Sequence, residues 1–315
     1  MLIRFILFFI SFSLAKIVHA KEPRIHNLAP QFVQFWEIVK DKPLSEQIKE
    51  FDKTIYLSLP EFYDYKFKRW MEAGKTKEEG LQRKFSEYTN ISQKFTEKTR
   101  SISDEVSLNL NTFLTRFPDF NTDFEIYIIH SLGEMDGGTR LINGKLYFIF
   151  GVDGIVKYHN AMSDVPFIHH ELFHVYHWQF FKIEDKIWTS LWAEGLATYV
   201  SEVLNPGATY MDMLLDIPVD LVTKCQKDID FLWTDLESLI DSTDEKAYEK
   251  YFLLSSKDPR VPIRAGYYLG YLIAKDLAQT YSLDELIKMD HIRLRQLIGD
   301  TLTKFTHKVH KSSVN

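Results

Sequence analysis

The spacing of apolar positions divides the chain into a helical part, a β-rich part and a second helical part. Between residues 21 and 118, aromatic residues recur at a helix-like spacing, as at Phe85, Tyr88 and Phe95, and Lys, Glu and Gln fill the positions between them. The sequence of this segment shows no grouping of residues typical of a catalytic or metal site. We interpret it as a helical N-terminal scaffold.

After residue 118 the pattern becomes typical of strands. The run FEIYIIH, Phe124–His130, is rich in β-forming residues, and two further β-like runs flank Asn143-Gly144 in TRLINGKLYFIF. Asn-Gly between two such runs is the strongest short-range signal of a two-residue hairpin. The sequence therefore predicts a small sheet over roughly residues 123–152, followed by a loop in GVDGIVKYHNAMSDV, Gly151–Val165.

Two helices are predicted beyond that loop. Ser163 or Asp164 can cap the first, which runs through FIHHELFHVYHWQFF, and Pro166 lies in its first turn, where proline is tolerated. The second is predicted over residues 189–204, because the following Asn-Pro-Gly terminates it.

These elements predict an α+β fold, in which a small sheet and two helices lie between mostly helical flanks. We place the helical N-terminal region at residues 21–118, the core at residues 119–207 and the helical C-terminal region at residues 208–315. Within the last region, residues 264–281 have the clearest helical pattern.

Residues 1–20 have the three parts of a removable signal peptide. Arg4 gives a short positive region, Phe5–Ala15 is a mostly apolar stretch, and Val18-His19-Ala20 places small residues at the expected cleavage positions. The apolar stretch is shorter than the roughly 20 residues that a membrane-spanning helix needs. We therefore expect an exported protein, periplasmic or secreted, that begins near Lys21 and keeps no stable membrane anchor.

The bulk composition fits a packed protein and narrows its partners. Apolar residues make up 45% of the chain, which is enough for a sizeable core. The formal net charge of -6 gives no reason to expect nucleic acid as a partner. Cys225 is the single cysteine, so an intrachain disulfide is impossible and the exported protein has to be held together by its core.

The stretch HHELFHVYHW, His169–Trp178, contains the pattern H-E-x-x-H. His170 and His174 are four residues apart, so a helix places both imidazoles on one face, about one turn apart, where they can bind one ion. In this pattern two histidines bind zinc and the glutamate, here Glu171, lies close enough to take a proton from water at the metal.

Glu194 offers a third ligand, which a catalytic zinc site needs beside an open position. It lies 20 residues after His174, within the second predicted helix. Thr198, one turn further on, could form a hydrogen bond to a ligand. The residues around Glu194 are small, which would let the second helix approach the first closely: Ala193, Gly195 and Ala197.

HELFH followed by AEGLATY resembles the gluzincin group of zinc metallopeptidases, which includes thermolysin and the one-zinc aminopeptidases. The resemblance covers roughly residues 123–204, and the helical flanks are most similar to those of uncharacterised exported gluzincin-like proteins. It implies a zincin-like core in which His170, His174 and Glu194 bind Zn²⁺ and Glu171 is the general base. The preceding hairpin would supply the edge strand along which peptide substrates lie. GEMDG, Gly133–Gly137, departs from the aminopeptidase G-x-M-E-N strand and does not support that subgroup.

Alternative interpretations of these side chains stay open. His169 and His177 flank the motif, and we expect both to be packed or hydrogen-bonded histidines, because three ligands from one helix rarely close a tetrahedron. The metzincin pattern fails, since it needs Gly and His where this chain has His177 and Phe180. For Glu194 the alternative is a capping or surface carboxylate.

A hydrolase of this kind also needs a donor for the oxyanion that forms when water attacks a carbonyl. GYYLG, Gly266–Gly270, offers Tyr267 and Tyr268 on a later helix, with Arg264 near its start. Related enzymes supply a Tyr or His from such a helix. The alternative is an aromatic core helix, and the sequence does not choose between the two tyrosines.

The sequence therefore predicts an exported zinc-dependent hydrolase, and most simply a peptidase that acts on a peptide or protein. Two other functions remain open: a binding or scaffold protein that keeps the zincin shell without turnover, and a metallohydrolase of a non-peptide bond. The intact Glu171 favours an enzyme, because a degenerate shell has little reason to keep the base.

Overall fold

A computed structural model describes residues 23–159, 163–217 and 220–312, with side chains described up to residue 307. The predicted signal peptide, residues 1–20, lies outside these ranges, so its removal stays a prediction. Cys225 is buried and free. Among the described residues, no helix combines the length and the apolar character needed to cross a membrane.

Four strands form one mixed sheet in the order β1-β2-β4-β3. The strands are β1 (Arg24–Asn27), β2 (Glu125–Ile129), β3 (Gly137–Ile142) and β4 (Lys145–Gly151). β2 pairs in parallel with β1 and β4, whereas β3 pairs antiparallel with β4 and lies at the edge. The predicted hairpin is confirmed: Ile142 is opposite Lys145, and the turn residues Asn143 and Gly144 have φ values of 50° and 78°.

The N-terminal region is helical apart from β1, which the sequence pattern did not predict. RIHN is too short and too polar to be recognised as a strand, and it becomes one by pairing with β2. Phe85, Tyr88 and Phe95 are buried on one helix of this region, as predicted. The helices are α1 (Ala29–Val39), α2 (Leu44–Thr54), a 3-10 turn (Tyr56–Ser58), α3 (Pro60–Glu72), α4 (Lys77–Thr99) and α5 (Ile102–Arg116).

The predicted loop after β4 is wrong in its first half, which forms helix α6 (Val152–Tyr158). Val152 and Ile155 lie one turn apart and are buried. The turn-type residues that suggested a loop have tertiary roles instead. Asp153 accepts hydrogen bonds from the backbone N–H groups of Ser131 and Gly133 at 2.6 and 2.7 Å.

The two motif helices form close to their predicted bounds, as α7 (Val165–His177) and α8 (Ile187–Leu204). The C-terminal region adds α9 (Leu221–Lys227), α10 (Ile229–Leu239), α11 (Glu245–Phe252), α12 (Ala265–Leu277), α13 (Leu283–Lys288) and α14 (His291–Ser312). The α+β class and the mostly helical flanks are confirmed. Helix α8 packs against both α7 and α12, and α7 also contacts the edge strand β3. The H-E-x-x-H residues on α7 therefore lie next to α8 and β3.

The contact between α8 and α12 depends on two glycines. A Cβ at Gly195 would lie 2.1 Å from the backbone carbon of Gly270, and a Cβ at Gly270 would lie 2.2 Å from the carbonyl oxygen of Leu191. Gly195, next to Glu194 in the chain, therefore permits the close approach of α12 to α8. The prediction that Gly195 serves the approach of α8 to α7 is wrong.

Candidate metal centre

Three ligand atoms from α7 and α8 converge at one point. The Nε2 atoms of His170 and His174 are 3.0 Å apart, and each lies 3.2 Å from Oε2 of Glu194. The side chains of these residues are between 12% and 21% exposed, so the group lies just below the surface and can be reached from solvent. His170, His174 and Glu194 therefore form a group that can hold a metal ion.

The local fold explains why these atoms meet. His170 and His174 lie one turn apart on α7, and Pro166 lies in the first turn of this helix. Helix α8 packs across α7, where the hydroxyl of Ser201 donates a hydrogen bond to the carbonyl of Pro166 at 2.6 Å. This buried contact fixes α8 against the start of α7 and brings Glu194 to the imidazoles.

The pKa values of His170, His174 and Glu194 depend on one another. Burial disfavours the charged form of His174, but the charge of Glu194 and its hydrogen bond raise the pKa of His174 to about 9. Burial also lowers the pKa of His170. Burial alone would raise the pKa of Glu194, yet the two histidines hold it well below its usual range. The two histidines and the carboxylate of Glu194 therefore attract one another, as a cation-binding group of this composition would.

Glu171 lies beside this group, at the start of the edge strand β3. A Cβ at Gly137 would lie 2.8 Å from Cγ of Glu171, and a Cβ at Gly138 would lie 3.7 Å from its Oε2. Burial raises the pKa of Glu171 to about 8. The absence of a side chain at Gly137 thus leaves space for the side chain of Glu171.

The structure places the two candidate tyrosines differently. The ring of Tyr267 stacks at 6.4 Å from the ring of His170, and burial and the charge of Glu194 raise its pKa well above the ordinary value. The hydroxyl of Tyr268 instead accepts a hydrogen bond from Gln226 at 3.2 Å, and its ring contacts Tyr210. Tyr267 is therefore the tyrosine beside the metal group.

Arg264 lies at the start of α12 with a left-handed backbone, φ 64°. Its guanidinium lies over the ring of Tyr267 at 4.2 Å and donates hydrogen bonds to the carbonyls of Leu214 and Ile217 at 3.2 and 2.8 Å. Arg264 thus holds Tyr267 on one side and the segment after α8 on the other.

A charged network behind Glu171 was not predicted from the sequence. His159 lies between Asp136 and Asp164, with ring nitrogens 3.0 and 2.9 Å from their carboxylate oxygens, and Lys98 lies 2.6 Å from Asp164. Asp136 and His159 both act on the charge of Glu171. In the sequence, Asp136, His159 and Asp164 lie in segments near strands that contain Gly and Asp, and such segments are also typical of ordinary turns.

The flanking histidines are packed, as predicted. His169 contacts the side-chain amide of Asn205 at 3.0 Å. His177 is stacked between Phe173 and Phe181, with ring centroids at 5.1 and 4.9 Å. Thr198 does not contact the carboxylate of Glu194; its hydroxyl donates to the backbone carbonyl of Glu194 at 2.8 Å. Thr198 therefore forms the predicted hydrogen bond to a candidate ligand residue, but through the backbone of Glu194 and not through its carboxylate.

Comparison of the chain with protein-family models, with curated proteins and with solved structures found no match.

Proposed function

We propose that this chain is an exported zinc metallopeptidase of the gluzincin type, in which His170, His174 and Glu194 bind zinc and Glu171 activates water. The observation that carries the proposal is the triangle of two imidazole nitrogens and one carboxylate oxygen, with sides of 3.0, 3.2 and 3.2 Å, beside the half-buried Glu171.

The triangle fits zinc in size and in chemistry. When zinc binds four ligands at 2.0–2.1 Å in a tetrahedron, neighbouring ligand atoms lie about 3.3 Å apart. The observed sides agree with this spacing to within a few tenths of an ångström. Two imidazoles and one carboxylate are also a ligand set of catalytic zinc sites, which leave a fourth position open.

Zinc bound at this group would polarise a carbonyl and lower the pKa of a water molecule. Glu171 accepts the proton of the attacking water and then delivers it to the leaving amine. Burial raises the pKa of Glu171, and zinc at the three ligands would oppose this effect, because a nearby cation favours the carboxylate that accepts the proton.

Tyr267 is suited to stabilise the oxyanion. Its phenol lies on the side of His170 that faces α12, and its high pKa keeps it protonated as a donor. Arg264 holds the ring in place through its stacking contact.

The edge strand supports a peptide as the substrate. β3 pairs on one side with β4 and ends the sheet, so its other side can pair with an extended chain. Gly137 and Gly138 lie on β3 directly beside Glu171. A peptide bound along β3 therefore passes the carboxylate that activates water.

The test is a digest of a peptide library by the mature protein, beginning near Lys21, with zinc and with chelator. We expect cleavage with zinc and its loss with chelator, restored by added zinc. Cleavage that persists in chelator would contradict the proposal. Zinc binding without cleavage of any peptide would favour a binding shell or a hydrolase of a non-peptide bond.

A further inference from the structure

A cavity of about 740 Å³ lies between the start of α8 and the start of α11. Its walls include Ile183, Ile187 and Tyr248, and it extends to Ser190. Ile183 and Tyr248 are 45% and 42% exposed and face the cavity together with the buried Ile187. The cavity thus has an apolar floor that no described part of the chain covers.

The cavity and the metal group share helix α8 and are linked by packed side chains. Ser190 lies one turn before Glu194, on the same face of α8. From Tyr248 a row of aromatic rings leads to the ligands: Tyr248 stacks on Phe252 at 5.1 Å, Phe252 contacts Tyr267 at 6.3 Å, and Tyr267 stacks on His170 at 6.4 Å.

The charges of Glu194 and of Arg140, which lies on β3, both act on Tyr248. Burial and the charge of Glu194 raise the pKa of Tyr248, whereas Arg140 lowers it. Together with the position of Ser190 on α8, this puts the cavity beside the metal group.

The charged side chains around the cavity are mostly acidic. Glu184, Asp185, Asp244 and Glu245 line it together with one cation, Lys186. Lys186 is 3.7 Å from Glu184, so that pair is largely balanced. Among the described residues, no cation forms an ion pair with Asp185, Asp244 or Glu245. The cavity therefore combines an apolar floor with a rim of unbalanced negative charge.

We propose that this cavity is the specificity pocket of the enzyme and that it binds a lysine or arginine side chain of the substrate close to the scissile bond. A lysine or arginine matches the cavity because its apolar stem can lie on Ile183 and Tyr248 while its charged end reaches the carboxylates. The inference rests on the proposed peptidase function and names its substrate class.

The first experiment compares three peptides that differ at one position near the cleaved bond, with Lys, norleucine or Glu there. The wild type is expected to cleave the Lys peptide about tenfold faster than the norleucine peptide in kcat/KM, the size expected for a few partly exposed ion pairs. The triple variant Asp185→Asn, Asp244→Asn, Glu245→Gln is expected to lose this preference, measured as the ratio of kcat/KM for the Lys and norleucine peptides. Asn at position 244 keeps the cap of α11.

A matched control removes two exposed carboxylates far along the chain, Asp41→Asn and Glu46→Gln, and is expected to leave the preference unchanged. Salt at about 0.5 M should reduce the preference of the wild type, because it screens exposed charges. If the wild type cleaves peptides without preferring a basic residue, or if the triple variant keeps the preference, the inference is wrong and the peptidase proposal stands.

A second experiment reads binding without turnover. Fluorescence anisotropy with the zinc-loaded Glu171→Gln protein should show about tenfold tighter binding of the Lys peptide than of the norleucine peptide, and the triple variant should abolish the difference. Equal binding of the three peptides overturns the inference. If the Glu171→Gln protein binds the Lys peptide preferentially but the wild type cleaves no peptide, the pocket is supported and the peptidase proposal is contradicted.

Discussion

Glu171 is the residue proposed to accept and deliver protons without binding the metal. It is not in the triangle of ligand atoms, so Glu171→Gln is expected to keep the zinc and the fold. General acid–base catalysis is typically worth about 10²–10⁴-fold, and Glu171 serves two proton transfers. We expect hydrolysis to fall by at least about 10²-fold at unchanged zinc content, measured by kcat and by metal analysis. Equal rates in the Gln variant and the wild type would exclude the water-activating role.

Tyr267 and Tyr268 provide a pair of adjacent residues with different expected effects. Tyr267→Phe removes the phenol beside His170 and should lower kcat by about 10²-fold, the typical effect of losing one oxyanion donor. Tyr268→Phe removes a hydrogen bond with Gln226 and should cost about 1 kcal/mol of stability with little effect on kcat. A larger loss of kcat in Tyr268→Phe than in Tyr267→Phe would reverse the assignment.

The spacing of residues was enough to predict the metal group, and it was not enough to predict its surroundings. His170 and His174 converge because of helical geometry alone, and Glu194 follows from a second helix of predictable length. Asp136 and His159 reach Glu171 only through the packing of β3, α6 and α7, which no local pattern encodes. Thr198 shows the same limit, since its hydroxyl bonds to its own helix.

At the scale of elements, the crossing of α8 and α12 positions Glu194. In Gly195→Ala the added Cβ would lie 2.1–2.5 Å from backbone atoms of Gly270, so the two helices have to separate. We expect a loss of about 3 kcal/mol in the free energy of unfolding and weaker zinc binding, since such overpacking typically costs about 1–3 kcal/mol. Urea unfolding and zinc titration measure the two effects.

Gly299→Ala is the matched control for this prediction. Gly299 lies on α14, where a Cβ would meet only the flexible end of Arg295 at 2.8 Å. Alanine is the better helix former, so this change should leave the protein as stable or slightly more stable. If Gly195→Ala behaved like Gly299→Ala, the glycine crossing would not position Glu194.

Long periodic elements were predictable, whereas short elements made by tertiary contacts were not. The hairpin carries its own turn residues, α7 has Pro166 in its first turn, and α8 ends where Asn-Pro-Gly follows. β1 has four residues and exists through its pairing with β2, and α6 consists of seven residues that include a glycine and an aspartate typical of turns. Gly195 was recognised as a packing residue, but the helix that it contacts lies 70 residues further along the chain and could not be identified locally.

At the scale of the whole molecule, the buried neutral His177 makes the free energy of unfolding depend on pH. Burial lowers the pKa of His177 to about 3, and its Nε2 has no hydrogen-bond partner among the residues that the structure describes. Below the unfolded pKa of 6.5 the unfolded chain binds a proton that the folded chain does not. The free energy of unfolding therefore falls as the pH decreases from 6.5 towards 3, by about 1.4 kcal/mol per pH unit from this residue.

His177→Phe tests this dependence, because phenylalanine can take the place between Phe173 and Phe181. In chelator, the wild type should lose about 1.4 kcal/mol more than the variant between pH 7.5 and pH 5.5, measured by urea unfolding at both values. An equal loss in the two proteins would show that His177 does not titrate as its burial implies.

The most direct test of the metal centre is the zinc content of the purified mature protein and its variants, measured by elemental analysis after dialysis against zinc and then buffer. We expect one zinc per chain in the wild type and in His177→Ala, and loss of most of it in His170→Ala, His174→Ala and Glu194→Ala, because each of these three variants removes one of three ligands. Circular dichroism of each variant confirms that it is folded. A wild type without zinc, or full zinc retention in a folded Glu194→Ala, would contradict the centre described here.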